Sequence, residues 1–179
     1  MISNVDSSAK YNIRVNCKLE ELIKEISDAC YINMKSYYMI NIYMIPEIVD
    51  ILKITDLSSL ESYVIIQDLN GLEKQIIHKN GNVIKSSTIN DILAVKELLL
   101  KLNYNELMYM NYDIYCYQKN NSFITIKNIL KQGIFIEGNE EMLSLLKEKN
   151  IPYDSSNLCV DNEKNALENV QKNLKNNMK

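Results

Sequence analysis

The chain has 179 residues, 46% hydrophobic and 24% charged, with 20 basic against 23 acidic side chains and a net charge of −3 at pH 7. That length supports one globular domain with a packed core; four Gly and two Pro exclude linker-rich, collagen-like and disordered compositions, and no apolar run approaches the ~20 residues that cross a bilayer. With Arg14 as its single arginine, the chain does not read as a general nucleic-acid binder, which gathers Lys and Arg on one face. Met1 to Asp6 show no basic stretch followed by a long apolar one, so the expected compartment is the cytoplasm, with no membrane partner. Cys17, Cys30, Cys116 and Cys159 are too scattered for a metal knuckle or a disulfide scaffold and read as buried small hydrophobes.

In chain order, residues 1–10 are expected to be flexible. Tyr11 to Cys17 alternates apolar and polar residues, as a half-buried strand does. Leu19, Leu22, Ile23 and Ile26 then repeat at helical spacing within Lys18 to Cys30. Ser36 to Ile45, Ile51 to Thr55, Ser62 to Gln67, Lys74 to His78 and Val83 to Thr88 are short and β-prone. Lys79-Asn80-Gly81-Asn82 predicts a type I′ hairpin turn, with His78 exposed at its tip. Asn90 or Asp91 caps a helix running to Asn103. Glu106 to Gln118 and Ser122 to Ile126 form a long hairpin, and Gly133 to Glu137 a last strand. Helices follow from Asn139 to Asn150 and from Asp161 to Lys175, with 176–179 frayed. Tyr37, Tyr38, Tyr43, Tyr109, Tyr112, Tyr115 and Tyr117, with Met39, Met44, Met108 and Met110, read as core and shell. The expected class is α+β: eight or nine mostly antiparallel strands in a closed or nearly closed barrel, with three or four flanking helices and a single domain over 11–175.

No Gly-rich phosphate loop, Cys-x-x-Cys pair, His-Glu-x-x-His segment or Gly-x-Ser-x-Gly elbow occurs. The order strand, helix, meander, helix, long hairpin, Gly-aromatic strand, helix does resemble the CYTH family, the triphosphate tunnel enzymes that include class IV adenylyl cyclases, thiamine triphosphatases and inorganic triphosphatases. The segment Gln132-Gly133-Ile134-Phe135-Ile136-Glu137 is similar to the family's Leu-Gly-x-Phe-x-Glu-x-Glu strand. The resemblance implies a tunnel whose carboxylates hold a divalent metal and whose Lys and Arg hold a triphosphate.

Carried over on the resemblance, the family's opening Glu-x-Glu-x-Lys falls on Asn12, Arg14 and Asn16, and its Arg-x-Arg on Lys53 and Thr55. The tunnel lysine falls on Gln67, and the Lys-x-Arg of the long hairpin on Asn111 and Asp113. Lys127 takes the place of a metal-binding Asp, and Glu137 and Asn139 that of the closing Glu-x-Glu. Only Lys53 and Glu137 keep their sign, and a hard divalent cation usually needs more than one carboxylate.

Two readings stay open. Arg14 with Asp113 and Lys127 with Glu137 fill the barrel with ion pairs, or Arg14, Lys53, Lys127 and Lys85 form a metal-free anion site lined by Asn12, Asn16, Gln67, Asn111, Asp113 and Glu137. The expected function is therefore non-catalytic, cofactor-free binding of a small phosphate-containing anion in the barrel or of a protein partner on its surface. The alternative is a residual triphosphatase or nucleotidyl cyclase that uses Mg²⁺ or Mn²⁺ at Glu137.

Overall fold

The computed structural model describes residues 9–69 and 73–178. The expectations for residues 1–8 and for Lys179 lie outside the described residues. Among the described residues, eight strands and four α-helices follow in the order β1 (Tyr11–Val15), α1 (Leu19–Asp28), β2 (Ile32–Pro46), β3 (Ser62–Asp68), β4 (Lys74–Asn80), β5 (Val83–Thr88), α2 (Ile92–Lys101), β6 (Tyr104–Lys119), β7 (Ser122–Ile129), β8 (Gly133–Gly138), α3 (Glu140–Glu148) and α4 (Asn162–Asn177). The class is α+β, with one eight-stranded sheet in the order β1-β8-β7-β6-β2-β3-β4-β5. Among the described residues, hydrogen bonds do not close this sheet into a ring: β1 and β5 are its end strands. No helix among the described residues is long and apolar enough to cross a membrane.

The chain gathers into two compact units, Met1–Tyr37 with Tyr112–Asp161 and Tyr38–Asn111 with Asn162–Lys179. In the first, Ile13, Ile136 and Ile126 stand opposite one another across β1, β8 and β7. They pack with Leu22 and Ile26 of α1 and with Met142 and Leu146 of α3 in one fully buried cluster. Period two on the strands and period three to four on the helices bring these residues onto facing surfaces. Asn139 caps α3 by accepting from the Glu141 N–H at 3.0 Å.

The outer edge of β1 is covered by the irregular segment 152–160. The Asn12 N–H donates to the Leu158 carbonyl at 2.9 Å and the Val160 N–H to the Asn12 carbonyl at 2.8 Å. The Asn16 N–H donates to Pro152 at 2.8 Å and the Asp154 N–H to Arg14 at 3.1 Å. Edge groups that would template aggregation are thereby satisfied.

In the second unit Met44 and Ile65 pack beneath Ile92 and Leu99 of α2, with Ile42, Tyr63 and Ile76 around them. Asp91 caps that helix, accepting from the Ala94 N–H at 3.0 Å. Ile51 to Thr55 is not a strand: Asp50 accepts from the Leu52 N–H at 3.1 Å, and Ile51–Lys53 closes into a 3₁₀ turn. A capping carboxylate here overrides the β preference of the isoleucines.

The β4–β5 hairpin has Gly81 and Asn82 as its two central residues, and only Gly81 has positive φ (+56°), as in a type II′ turn rather than I′. The strand consequently reaches Asn80, and His78 is half-buried, its ring 4.7 Å from that of Tyr63. Met39, Met44, Met108 and Met110 are buried, as are Tyr37, Tyr43, Tyr112 and Tyr117, whereas Tyr109 is exposed. The cysteines depart from expectation: Cys17 and Cys116 are half-buried, and Cys30 and Cys159 are exposed. Cys30 sits just past α1 with φ +64°, where chain reversal leaves no core to face.

Candidate functional site

The ladders of the first unit sort every strand residue to one of two faces. Asn12 stands opposite Glu137, Glu137 opposite Thr125 and Thr125 opposite Cys116; in the next row Arg14 stands opposite Phe135, Phe135 opposite Lys127 and Lys127 opposite Ile114. All of these lie on the face turned away from α1 and α3, because direct opposition keeps side chains on one side of a sheet. Between Arg14 and Lys127 lie two strand spacings, about 10 Å.

Lys127 and Glu137 form a charge-assisted hydrogen bond, with side chains 15% and 20% exposed. The Arg14 guanidinium lies over Gly133, its Nε 3.5 Å from where a Cβ would stand, and it has no carboxylate within 4.0 Å among the described residues. The Asp154 carboxyl is held below its usual range chiefly by Ser156, with Arg14 a smaller contributor. Burial pushes the Cys116 thiol up, opposed by hydrogen bonding to Thr125 and Tyr37 and by the Lys35 charge. Cys116 is therefore a protonated wall residue, unlike the exposed, basic surroundings of a nucleophilic thiol. Phe135, Ile114, Ile129 and Tyr112 on the same face are buried, so the ionic groups rise from an apolar floor.

The sequence does not mark Lys35, Tyr37, Thr125 or Cys116 as members of this site, reading Tyr37 and Cys116 as core instead. Thr125 is within its reach, two residues before Lys127 on one strand; Lys35 is not, because β2 begins at Ile32 rather than Ser36.

Asp113 is not Arg14's partner. It stands opposite Asn128, which stands opposite Ile134, on the helix-covered face, and it accepts from the Asn128 amide at 3.2 Å. Asn16 is exposed just beyond β1. The Asn12 amide donates to the Val160 carbonyl at 2.6 Å, so that side chain fixes the edge segment.

The remaining candidates belong to the second unit and do not form one cluster. Lys53 is exposed and pairs with Asp50 at 3.0 Å. Lys85 stands opposite His78, and Gln67 opposite Lys74 and Ile40; this is the face of Ile65 and Ile76, which carries α2. Neither lines the opposite face. There, Tyr43 and Lys79 both engage Glu163 at the start of α4, at 3.1 and 3.4 Å. Gln171 of α4 donates to the Ile51 and Ile54 carbonyls, both at 2.8 Å. The buried carboxamide oxygens of Asn41 and Asn111 have no hydrogen-bond partner among the described residues.

No three His, Cys, Asp or Glu side chains among the described residues converge to hold a metal ion. The donor set among the described residues does not fit Mg²⁺ or Mn²⁺: Glu137, the carboxylate in the Arg14–Lys127 cluster, is neutralised by an ammonium group.

No family model matches the sequence, and no curated protein matches it either. Solved structures do match. A protein of Vibrio parahaemolyticus described as a candidate adenylate cyclase superposes with a TM-score of 0.59 at 12% identity, over 88% of this chain and 95% of that one. The PH1819 protein of Pyrococcus horikoshii OT3 gives 0.57 at 17% identity, over 80% and 92%. A proposed adenylyl cyclase of Hippeastrum, described as having a dominant triphosphatase activity, gives 0.55 at 12% identity, over 80% and 88%. The chain has a CYTH-like fold.

Proposed function

We propose that this protein binds a small, multiply charged phosphate-containing anion without a metal, on the face that carries Arg14 and Lys127, and performs no phosphoryl chemistry there. The observation that carries the reading is the Lys127–Glu137 pair: a lysine occupies the carboxylate of a cluster whose other strong charge, Arg14, has no carboxylate within 4.0 Å among the described residues. A guanidinium binds phosphate bidentately and stays charged at any physiological pH, and a directly placed cation can substitute for a metal bridge. Arg14 supplies the free charge. Lys127 supplies a second by letting the anion displace or share Glu137, and Lys35 and Asn12 flank the cluster. Two cationic side chains whose strands lie two spacings apart, about 10 Å between backbones, suit one extended oligophosphate better than a single phosphate.

The test is thermal stability with tripolyphosphate or ATP, each in EDTA and in excess Mg²⁺. Binding confined to the native state raises stability by about 2.7 kcal/mol at a hundredfold excess over Kd, or roughly 5–10 °C for a chain of this size. A rise in EDTA that Arg14→Ala removes supports the reading. A rise that needs Mg²⁺, accompanied by hydrolysis that Glu137→Gln abolishes, supports the alternative suggested by the relative with triphosphatase activity.

A further inference from the structure

The two end strands of the sheet are treated differently. The outer edge of β1 is occupied by segment 152–160, as described above, whereas all six residues of β5 are exposed, Ile84 by 66% and Val83 by 51%. In a hairpin closed by two residues, the flanking pair Asn80–Val83 exchanges both main-chain bonds, so bonding pairs recur at every second residue. The Ile89 N–H donating to the Lys74 carbonyl at 2.9 Å continues the same series. Val83, Lys85 and Ser87 are thus turned toward β4, and the N–H and C=O groups of Ile84, Ser86 and Thr88 point outward, where nothing among the described residues meets them.

We propose that β5 pairs with β5 of a second copy of this chain, antiparallel about a twofold axis at Ser86. That register sets Ser86 against Ser86 and Ile84 against Thr88 of the other copy, uses every outward-pointing group, and forms about six main-chain hydrogen bonds. It also sets Lys85, the strand's single charge, against Ser87. The competing register, centred on Lys85, would oppose two lysines directly and leave Thr88 unpaired. The edge is self-complementary in hydrogen bonding and in charge, as a twofold interface requires, and β-branched Val83, Ile84 and Thr88 suit a pleated pairing surface. A six-residue strand falls short of the ~800 Å² per partner of a standard interface, so the dimer is weak and concentration-dependent.

Analytical ultracentrifugation over a wide concentration range tests this directly. The wild-type chain is expected to pass from monomer to dimer, and Ser86→Lys and Ser86→Glu, whose like charges meet at the axis, are each expected to weaken the dimer at least tenfold. An equimolar mixture of the two variants is expected to dimerise again, which also shows that both are folded. A wild-type monomer at every concentration, a dimer indifferent to both substitutions, or a mixture no more dimeric than its components would overturn the proposal; the first of these results would leave the edge to an extended segment of another protein.

Discussion

Lys127 and Glu137 hold each other in a setting only 15% and 20% exposed, and removing one partner leaves the other charge partly desolvated. Loss of a fully buried partner costs about 3–5 kcal/mol; with this much solvent contact, Lys127→Met is expected to cost about 1–3 kcal/mol in urea unfolding. The double change Lys127→Met with Glu137→Leu should recover most of that loss, since an apolar pair replaces an ion pair at little cost. At Tyr104, burial first, then the hydrogen bond to Glu61 at 2.6 Å and its charge, push the phenol pKa up. A raised folded-state pKa means that the stabilisation is complete below the ordinary phenol value of about 10 and is lost as pH rises through the higher one. The stability gap between the wild-type chain and Tyr104→Phe should therefore stay level from neutral pH to about 9 and shrink at higher pH, and Glu61→Gln should bring the phenol's ultraviolet titration back toward its ordinary range.

The helices were legible in the sequence because Leu22 and Ile26, or Met142 and Leu146, announce a buried face by spacing alone. So were β1 and β8, where Ile13 and Ile136 alternate with polar neighbours. Faces were not legible where both sides of a strand carry mixed residues, as around Asp113, or where a residue was assigned to the barrel lining by resemblance alone, as with Gln67. Segment 152–160 has no period to read, yet it covers β1. One close approach is equally invisible in the sequence: a Cβ on Gly138 would stand 2.9 Å from the Met142 Cβ and 3.2 Å from the Phe123 carbonyl. Gly138→Ala must push α3 off β8 and is expected to cost about 1–3 kcal/mol, against about 1 kcal/mol for removing the α2 cap with Asp91→Ala; paired chemical denaturation curves will rank the two.

At the scale of the molecule, the chain shares a CYTH-like fold with solved structures at 12–17% identity. The sheet depends on Ile13, Ile126, Ile136 and their helix partners, while the proposed binding depends on the opposite face, and a fold by itself does not fix a function. On that face Arg14 offers a strong charge with no carboxylate within 4.0 Å among the described residues. The most direct measurement is calorimetric titration of tripolyphosphate into the protein in EDTA, at two salt concentrations, for the wild-type chain and Arg14→Ala. Saturable binding in the absence of metal that weakens with salt and falls at least tenfold in Arg14→Ala is the predicted result. Heat only when Mg²⁺ is restored, or binding that Arg14→Ala leaves unchanged, would contradict it.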